Sequence, residues 1–343
     1  MGRRFNHVRG LLSRRQRWKL GSDLVAVVVL AMGGRERADL IAAACELLQV
    51  SETRAAAAVD VLVDAGLLEA EEGAVAPYAD RRQTWEAHGW TAAHDYHLAT
   101  WDYPFVDYDV DGWTRDRTLM ATYDDVEADV SVWVHDRCSH LAGDFSLPPA
   151  DEALETLTAP VGHLAAGSTL SAEKLTILLA STFGRLPPRG GAKKPRRSSP
   201  SGGAQHPVEG YIVNLSVPGI DRGVWHIRGR DNDLVRIASL PGDEWLTKNL
   251  SGLFRAAWTP EAVVVFTAVF ARNMYRYREP RTLRTIFLDT GHLIATLETA
   301  AAAQGIASFA HHGMDDPAVE QLLGLTGLRE GAMAGVGLAG GVT

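Results

Sequence analysis

The chain has 343 residues, of which 46% are hydrophobic and 22% charged, so general disorder is excluded and more than one domain is expected. A net charge of −8 argues against attraction of the whole protein to nucleic acid. The two cysteines, Cys45 and Cys138, are too few for a disulfide framework and predict a reducing, cytoplasmic environment. The apolar run from Leu24 to Met32 is too short to span a bilayer and predicts a buried helix.

The first 84 residues are predicted to form a winged-helix-like domain. Two further helical patterns follow the first apolar run, and the third helix is expected to begin at Ser51 and to end at Gly66. DNA binding by this domain is disfavoured, because residues 21–80 contain three Arg or Lys against eleven Asp or Glu. Peptide binding or subunit docking is the preferred role. The apolar positions of the second and third helices are Leu40, Ile41, Ala44, Leu47, Ala58, Val61, Leu62 and Ala65.

Residues 85–150 form a connecting segment that is dense in aromatic side chains. Such a set lines a groove for a peptide or a flat ligand, or it is ordinary core and interface packing, and the pattern leaves both open. His135, Cys138 and His140 match no zinc-ligand spacing, so no metal site is predicted. The aromatic residues are Trp85, Trp90, Tyr96, Trp101, Tyr103, Phe105, Tyr108 and Trp113, with His88, His94 and His97 among them.

Residues 151–343 are predicted to be a separate α+β domain. A helix is expected from Ser171 to about Gly184, followed by a basic loop rich in Pro, Gly and Ser. A strand is expected over Glu209 to Val217 and a hairpin over residues 223–237, and β-branched residues predict another strand over Glu261 to Ala271. The pattern turns helical over residues 282–303. A short strand, a helix ending at Gly324 and a final strand complete the chain.

The basic loop leads into a glycine-containing turn at residues 196–213. Its two adjacent glycines, Gly202 and Gly203, allow backbone N–H groups to approach an anionic ligand closely. The same residues also suit a flexible turn before a strand. The turn is therefore a candidate cofactor site whose assignment depends on the rest of the chain.

Three sequence blocks in the second half resemble the SagB-type dehydrogenases. The first is SPSGGAQHPVEGYIV at residues 199–213, followed by PGIDRGVWH at 218–226. The second is RYREPRTLRTIFLDTGH at residues 276–292. The third is HGMDD at residues 312–316, with LLGL at 322–325. The blocks occur in the order that the family has, and the resemblance covers roughly residues 150–340.

The resemblance implies a nitroreductase-like fold that binds FMN at a homodimer interface and oxidises azoline rings to azoles in ribosomally made peptides. It implies a precursor peptide as substrate, with other maturation enzymes as partners and with neither nucleic acid nor membrane. Tyr277 is then expected to transfer the proton, with a neighbouring cation to lower its reference pKa near 10. Arg276 stands where the family has lysine, and because it does not deprotonate it orients or stabilises. Tyr277 as a packing residue is the alternative.

The flavin is expected to contact the residues of the glycine turn and two arginines of the second block. The family's arginine–serine–arginine phosphate motif is not present between residues 158 and 170, and Pro280 is an extra residue. Two other hypotheses stay open: a protein without flavin that binds precursor peptide and scaffolds other enzymes, and a transcriptional regulator with a ligand-sensing domain. The expected cofactor-binding residues are Arg197, Ser199, Pro200, Ser201, Gly202, Gly203, Arg281 and Arg284.

Overall fold

The computed structural model describes residues 4–7, 21–31, 35–65, 67–69, 83–101, 108–124, 138, 141–158, 169–187, 196–277 and 279–341. The chain divides into two compact units, Met1–Thr114 and Arg115–Thr343. The domain boundaries predicted at 84/85 and 150/151 remain predictions. In the described part of the chain, no helix is long and apolar enough to cross a lipid bilayer.

Among its described residues, the first unit contains several helices and a small antiparallel sheet. Strands β1 (Arg4–His7), β2 (Arg35–Glu36) and β3 (Leu68–Glu69) pair in the order β2-β1-β3. Three helices occur where the sequence pattern predicted them, namely α1 (Ser22–Ala31), α2 (Arg37–Leu48) and α3 (Glu52–Asp64). A winged-helix domain contains three helices and a small sheet, and its assignment to this unit stays a prediction. Further helices cover Thr91–Trp101 (α4) and Trp113–Asp124 (α5), which begins just before the division between the units.

The core of the first unit is built from one face of each of these helices. Val27, Leu40 and Leu62 are fully buried there. The prediction of a buried first helix was only partly right, because Val29 is 57% exposed on the opposite face. Likewise Leu47 and Val61, expected in the core, are exposed. Ser51 caps α3 as predicted, since its hydroxyl accepts the Arg54 N–H, whereas the predicted cap at Gly66 lies outside the described residues.

The second unit is organised around a seven-stranded antiparallel sheet in the order β4-β7-β6-β5-β8-β10-β9. Every pairing is antiparallel, which agrees with the α+β class predicted from sequence. The strands are β4 (Phe145–Ser146), β5 (Val208–Asn214), β6 (Gly223–Arg228), β7 (Asp233–Ala238), β8 (Ala262–Val269), β9 (Ala307–His311) and β10 (Glu330–Ala339).

Both faces of the sheet are covered, which explains the continuous apolar run of β8. Alternate side chains point to opposite faces of a strand, so Val264 and Phe266 join one apolar cluster while Val263 and Val265 join another. Helices α7 and α10 pack on the first face, and α8 and α11 pack on the second. The helices of this unit are α6 (Ala150–Thr158), α7 (Ala172–Phe183), α8 (Asp243–Asn249), α9 (Phe270–Arg276), α10 (Thr282–Ala303) and α11 (Asp316–Leu323).

Two element ends differ from the sequence prediction for local reasons. Strand β5 ends at Asn214 rather than at residue 217, because the Asn214 amide donates to the Ile220 carbonyl oxygen at 2.7 Å and accepts the Val217 N–H at 3.0 Å. The chain therefore turns at Asn214. The predicted strand over 261–271 stops at Val269, where α9 begins. This helix positions Arg276 and Tyr277 at its carboxyl end.

Candidate functional site

The glycine turn has a strained backbone. Gly203, Ala204 and His206 have φ angles of 59°, 53° and 45°, in the left-handed region that residues other than glycine seldom adopt. Strain of this kind persists only where the surroundings enforce it, and it is concentrated at functional sites. The left-handed angles at Ala204 and His206 therefore agree with the prediction of this turn as a candidate site, which stays a prediction.

Asp289 of α10 holds this turn in place. The Ser201 hydroxyl donates to Asp289 Oδ2 at 2.6 Å, and the Gly202 N–H donates to Oδ1 at 3.1 Å. The Ser201 hydroxyl oxygen also accepts the His206 N–H at 2.8 Å, which closes the turn. Burial raises the pKa of the Asp289 carboxyl above its ordinary value, against a lowering by these hydrogen bonds. The clamp thus ties the first sequence block to the second.

Tyr277 lies directly against the turn. Its backbone is extended at the end of α9, while its N–H still donates to the Asn273 carbonyl oxygen at 2.8 Å. A Cβ atom added to Gly203 would overlap the Tyr277 hydroxyl oxygen, so only glycine permits this contact. At Gly202 a Cβ would instead overlap the Thr285 side chain of α10. The predicted proton-transfer residue and the predicted cofactor turn are therefore brought together.

Arg276 is held by a carboxylate that the sequence did not point to. Its Nη2 lies 2.6 Å from Oδ1 and 2.7 Å from Oδ2 of Asp116, on helix α5. The guanidinium carbon lies 5.2 Å from the ring centroid of Tyr277, within the range of a cation–π contact. A fixed positive charge thus stands beside the tyrosine.

A buried cluster of charges adjoins the turn. Arg272 Nη1 donates to the Glu209 carboxylate and, at 3.1 Å, to the His206 carbonyl oxygen. Arg197 donates from Nη1 to the Val208 carbonyl oxygen at 2.7 Å, with Nη2 4.0 Å from Glu209. Burial lowers the pKa of Arg197 to about 10, while Glu209 raises it and Arg272 lowers it further. Two guanidinium groups thus face one carboxylate in this cluster.

The other predicted cofactor residues lie at different depths. Ser199 is buried, and within the described part of the chain its hydroxyl has no hydrogen-bond partner. Pro200 and Gly203 are exposed, whereas Arg281 and Arg284 lie at the start of α10. An unpaired buried hydroxyl, an exposed glycine and neighbouring arginine side chains fit a planar, anionic ligand such as FMN. Whether these residues contact a flavin stays a prediction.

Sequence reasoning missed Asp289, Asp116, Glu209 and Arg272 as members of this site. Asp289 and Glu209 stand inside the blocks that carry the family resemblance, so that signal was available. Nothing local marked Asp116, which is 160 positions from its partner in the chain.

The aromatic segment is described only in part. The Trp85 ring stacks on His97 at 5.9 Å and meets Trp90 edge-on at 5.8 Å, while Trp90 and Trp113 are mostly exposed. Tyr103 and Phe105 lie outside the described residues, as do His135 and His140. Among the residues that the structure describes, no three His, Cys, Asp or Glu side chains converge to hold a metal ion.

Comparison with known proteins gives a family match and a relative. The profile of the Nitroreductase family matches residues 166–340, about half of the chain. Over 143 residues the chain is 36% identical to the trifolitoxin-processing protein TfxB of Rhizobium leguminosarum bv. trifolii. That alignment covers 40% of this chain and only 38% of the length of the relative.

Two solved structures match the chain at lower similarity. A protein from Anabaena variabilis described as a nitroreductase has a TM-score of 0.40 and 24% identity, over 65% of this chain and 46% of its own. The Escherichia coli microcin synthetase McbBCD complex, with truncated pro-MccB17 bound, has a TM-score of 0.43 and 19% identity. That match covers 66% of this chain and 94% of the matched one. At these TM-scores the family assignment rests on the sequence match.

Proposed function

The chain belongs to the Nitroreductase family, and we propose that it is an FMN-dependent peptide dehydrogenase. Membership of this family supports an oxidoreductase activity. Its reaction is the oxidation of azoline rings to azoles, or a related desaturation, in a ribosomally made precursor peptide. The observation that carries this proposal is the contact between the Tyr277 hydroxyl and Gly203 in a turn clamped by Asp289. The similarity to a trifolitoxin-processing protein supports a peptide substrate.

The residues around the turn offer complementary contacts to FMN. The Ser199 hydroxyl and the backbone of Gly202 and Gly203 would meet the ring system, and Arg281 and Arg284 at the start of α10 would hold the phosphate. Arg197 would contribute from within the buried cluster, through its charge and not through direct contact, because its side chain is 1% exposed. When bound, FMN supplies the hydride acceptor.

The chain itself has to remove a proton from the substrate. Oxidation of a carbon–nitrogen or carbon–carbon single bond to a double bond releases one hydride and one proton. The Tyr277 oxygen receives that proton, and it is held in place by contact with Gly203. To accept the proton, Tyr277 has to react as its phenolate, and the charged guanidinium of Arg276 beside it would stabilise that anion.

The first unit is proposed to recruit the precursor peptide. Helix α2 borders an open cleft of about 580 Å³ whose apolar lining includes Ile41, Ala42 and Cys45. Charged side chains of Glu36, Arg37 and Glu52 also line it, so a peptide of mixed character would fit. The homodimer implied by the resemblance is retained in this proposal, and it is supported by the exposed apolar side chains Phe287 and Leu288 on α10.

A visible absorption spectrum of the purified protein tests the cofactor. Oxidised-flavin bands, present on isolation or after incubation with FMN, are expected. Mass spectrometry of an azoline-containing peptide should then show the loss of two hydrogens per oxidised ring. A protein that stays colourless with FMN and still binds precursor peptide would favour the scaffold hypothesis. Salt-dependent retention of a DNA duplex would favour the regulator.

A further inference from the structure

The ion pair between Asp116 and Arg276 joins two residues that are 160 positions apart in sequence. One guanidinium nitrogen lies within hydrogen-bond distance of both carboxylate oxygens, at 2.6 and 2.7 Å. Each side chain is only 18% exposed, so water screens the pair less than it screens a surface ion pair. The pair therefore holds the guanidinium in one position.

On helix α5, the side chain of Asp116 faces Arg276 and not solvent. Asp116 is half-buried, whereas its neighbours Arg115 and Arg117 are exposed. Asp116 lies in the first turn of α5, where the helix dipole favours a carboxylate. The helix precedes residues 166–340, the region that matches the family profile. The acid is thus supplied by a segment outside that region.

The contacts continue from Asp116 to the glycine turn. Arg276 is fixed by Asp116, its guanidinium carbon lies 5.2 Å from the Tyr277 ring centroid, and the Tyr277 hydroxyl lies against Gly203. We infer that Asp116 is a positioning residue that holds Arg276 against Tyr277. Helix α5 is thereby part of the active site. This inference rests on the proposed function for its effect on turnover.

Kinetics of Asp116→Asn provide the first test, because this change removes the charge and keeps the shape of the side chain. We expect kcat to fall about tenfold with little change in KM, since misplaced catalytic groups lose rate more than binding. Asp116→Glu should restore part of the rate. Arg276→Gln should have a similar effect, and the double variant should lose no more than either single one, because the two residues act as a unit. Asp111→Asn, an exposed acid on the preceding turn, is the matched control.

Fluorine NMR gives a second readout that needs neither flavin nor substrate. The protein is labelled with fluorotyrosine, and the Tyr277 resonance is identified by its loss in Tyr277→Phe. Asp116→Asn should move this resonance, whereas Asp111→Asn should leave it in place. A Tyr277 resonance and a kcat that are both unchanged in Asp116→Asn would overturn the inference and leave the proposed function standing. A wild-type protein without flavin or turnover would overturn the proposed function, while the resonance would still decide the role of Asp116.

Discussion

At the scale of single residues, the site depends on a close contact between a glycine and a tyrosine. Gly203 combines a left-handed backbone with a Cβ direction that is filled by the Tyr277 hydroxyl. Arg276, which the resemblance places where the family has lysine, is paired with Asp116 and lies beside the tyrosine ring. Because arginine does not exchange protons, the role that we propose for Arg276 is to orient Tyr277.

Tyr277→Phe tests the proton-transfer role directly. Removing the hydroxyl should lower turnover about a hundredfold, the lower end of what general acid–base catalysis contributes, and should leave the flavin bound. Steady-state kinetics and the absorption spectrum check the two parts separately. Tyr275→Phe, on the same helix, is the control, and wild-type turnover in Tyr277→Phe would show that another group accepts the proton.

Gly203→Ala should be destabilising for two reasons. The left-handed backbone penalises an alanine by about 1 kcal/mol, and the new Cβ would also overlap the Tyr277 oxygen. Combined with Tyr277→Phe, the substitution should cost less than alone, because the overlapping oxygen is gone. Chemical denaturation measures these differences.

Gly89→Ala is the matched control for this cycle. Gly89 also has a positive φ, of 73°, but a Cβ there meets nothing within 4 Å. It should therefore show only the backbone cost. Equal losses for the two glycine variants, with no relief from Tyr277→Phe, would mean that the overlap is unimportant.

At the scale of elements, helix α10 is the support of the glycine turn. It packs Leu293 and Leu297 into the core on one side of the sheet and presents Asp289 to Ser201 and Gly202. Because α10 is packed into the core, Asp289 holds the turn in a fixed position. A buried carboxylate in this place also makes the stability of the protein depend on pH.

Asp289→Asn tests that dependence. Because burial raises the pKa of Asp289, the folded state binds the proton more tightly than the unfolded state does. Its contribution to the free energy of unfolding is then fully present below the ordinary value of 3.8 and is lost as pH rises through the raised folded-state pKa. The Tm of wild type relative to Asp289→Asn should therefore decrease from acidic to neutral pH. A difference that increases over this range would contradict the assignment.

At the scale of the whole molecule, the two units have separate hydrophobic cores. Leu62 is fully buried in the first unit and Leu293 is 1% exposed in the second, so the same truncation is available in each. The catalytic residues proposed here all belong to the second unit. Damage to each core should therefore have different functional consequences.

Leu62→Ala and Leu293→Ala form a matched pair. Each should lower the free energy of unfolding of its own unit by about 2–5 kcal/mol. Leu62→Ala should weaken binding of the precursor peptide and keep the flavin, whereas Leu293→Ala should release flavin more readily. Calorimetry, peptide titration and flavin absorbance separate these effects. Flavin loss in Leu62→Ala with retention in Leu293→Ala would contradict the division of roles.

The fold class, the helix over residues 282–303 and most of the central strands could be predicted from local sequence alone. These features depend on local periodicity and on β-branched residues, which are visible in any short window. The resemblance of the three blocks also implied a nitroreductase-like fold, which the match of the Nitroreductase family model to residues 166–340 confirms. The contact of Gly203 with Tyr277 joins the first and second sequence blocks, both of which were predicted to contain site residues.

The residues that complete the site could not be predicted from sequence, because they are brought together by the packing of distant elements. Ser201 and Asp289 are 88 positions apart and Asp116 and Arg276 are 160 apart, so no local pattern links them. The burial of Arg197 was equally invisible, because a basic residue in a polar loop is ordinarily expected to face solvent. Local sequence specifies helices and strands, whereas pairing between distant charges depends on how the packed elements bring them together.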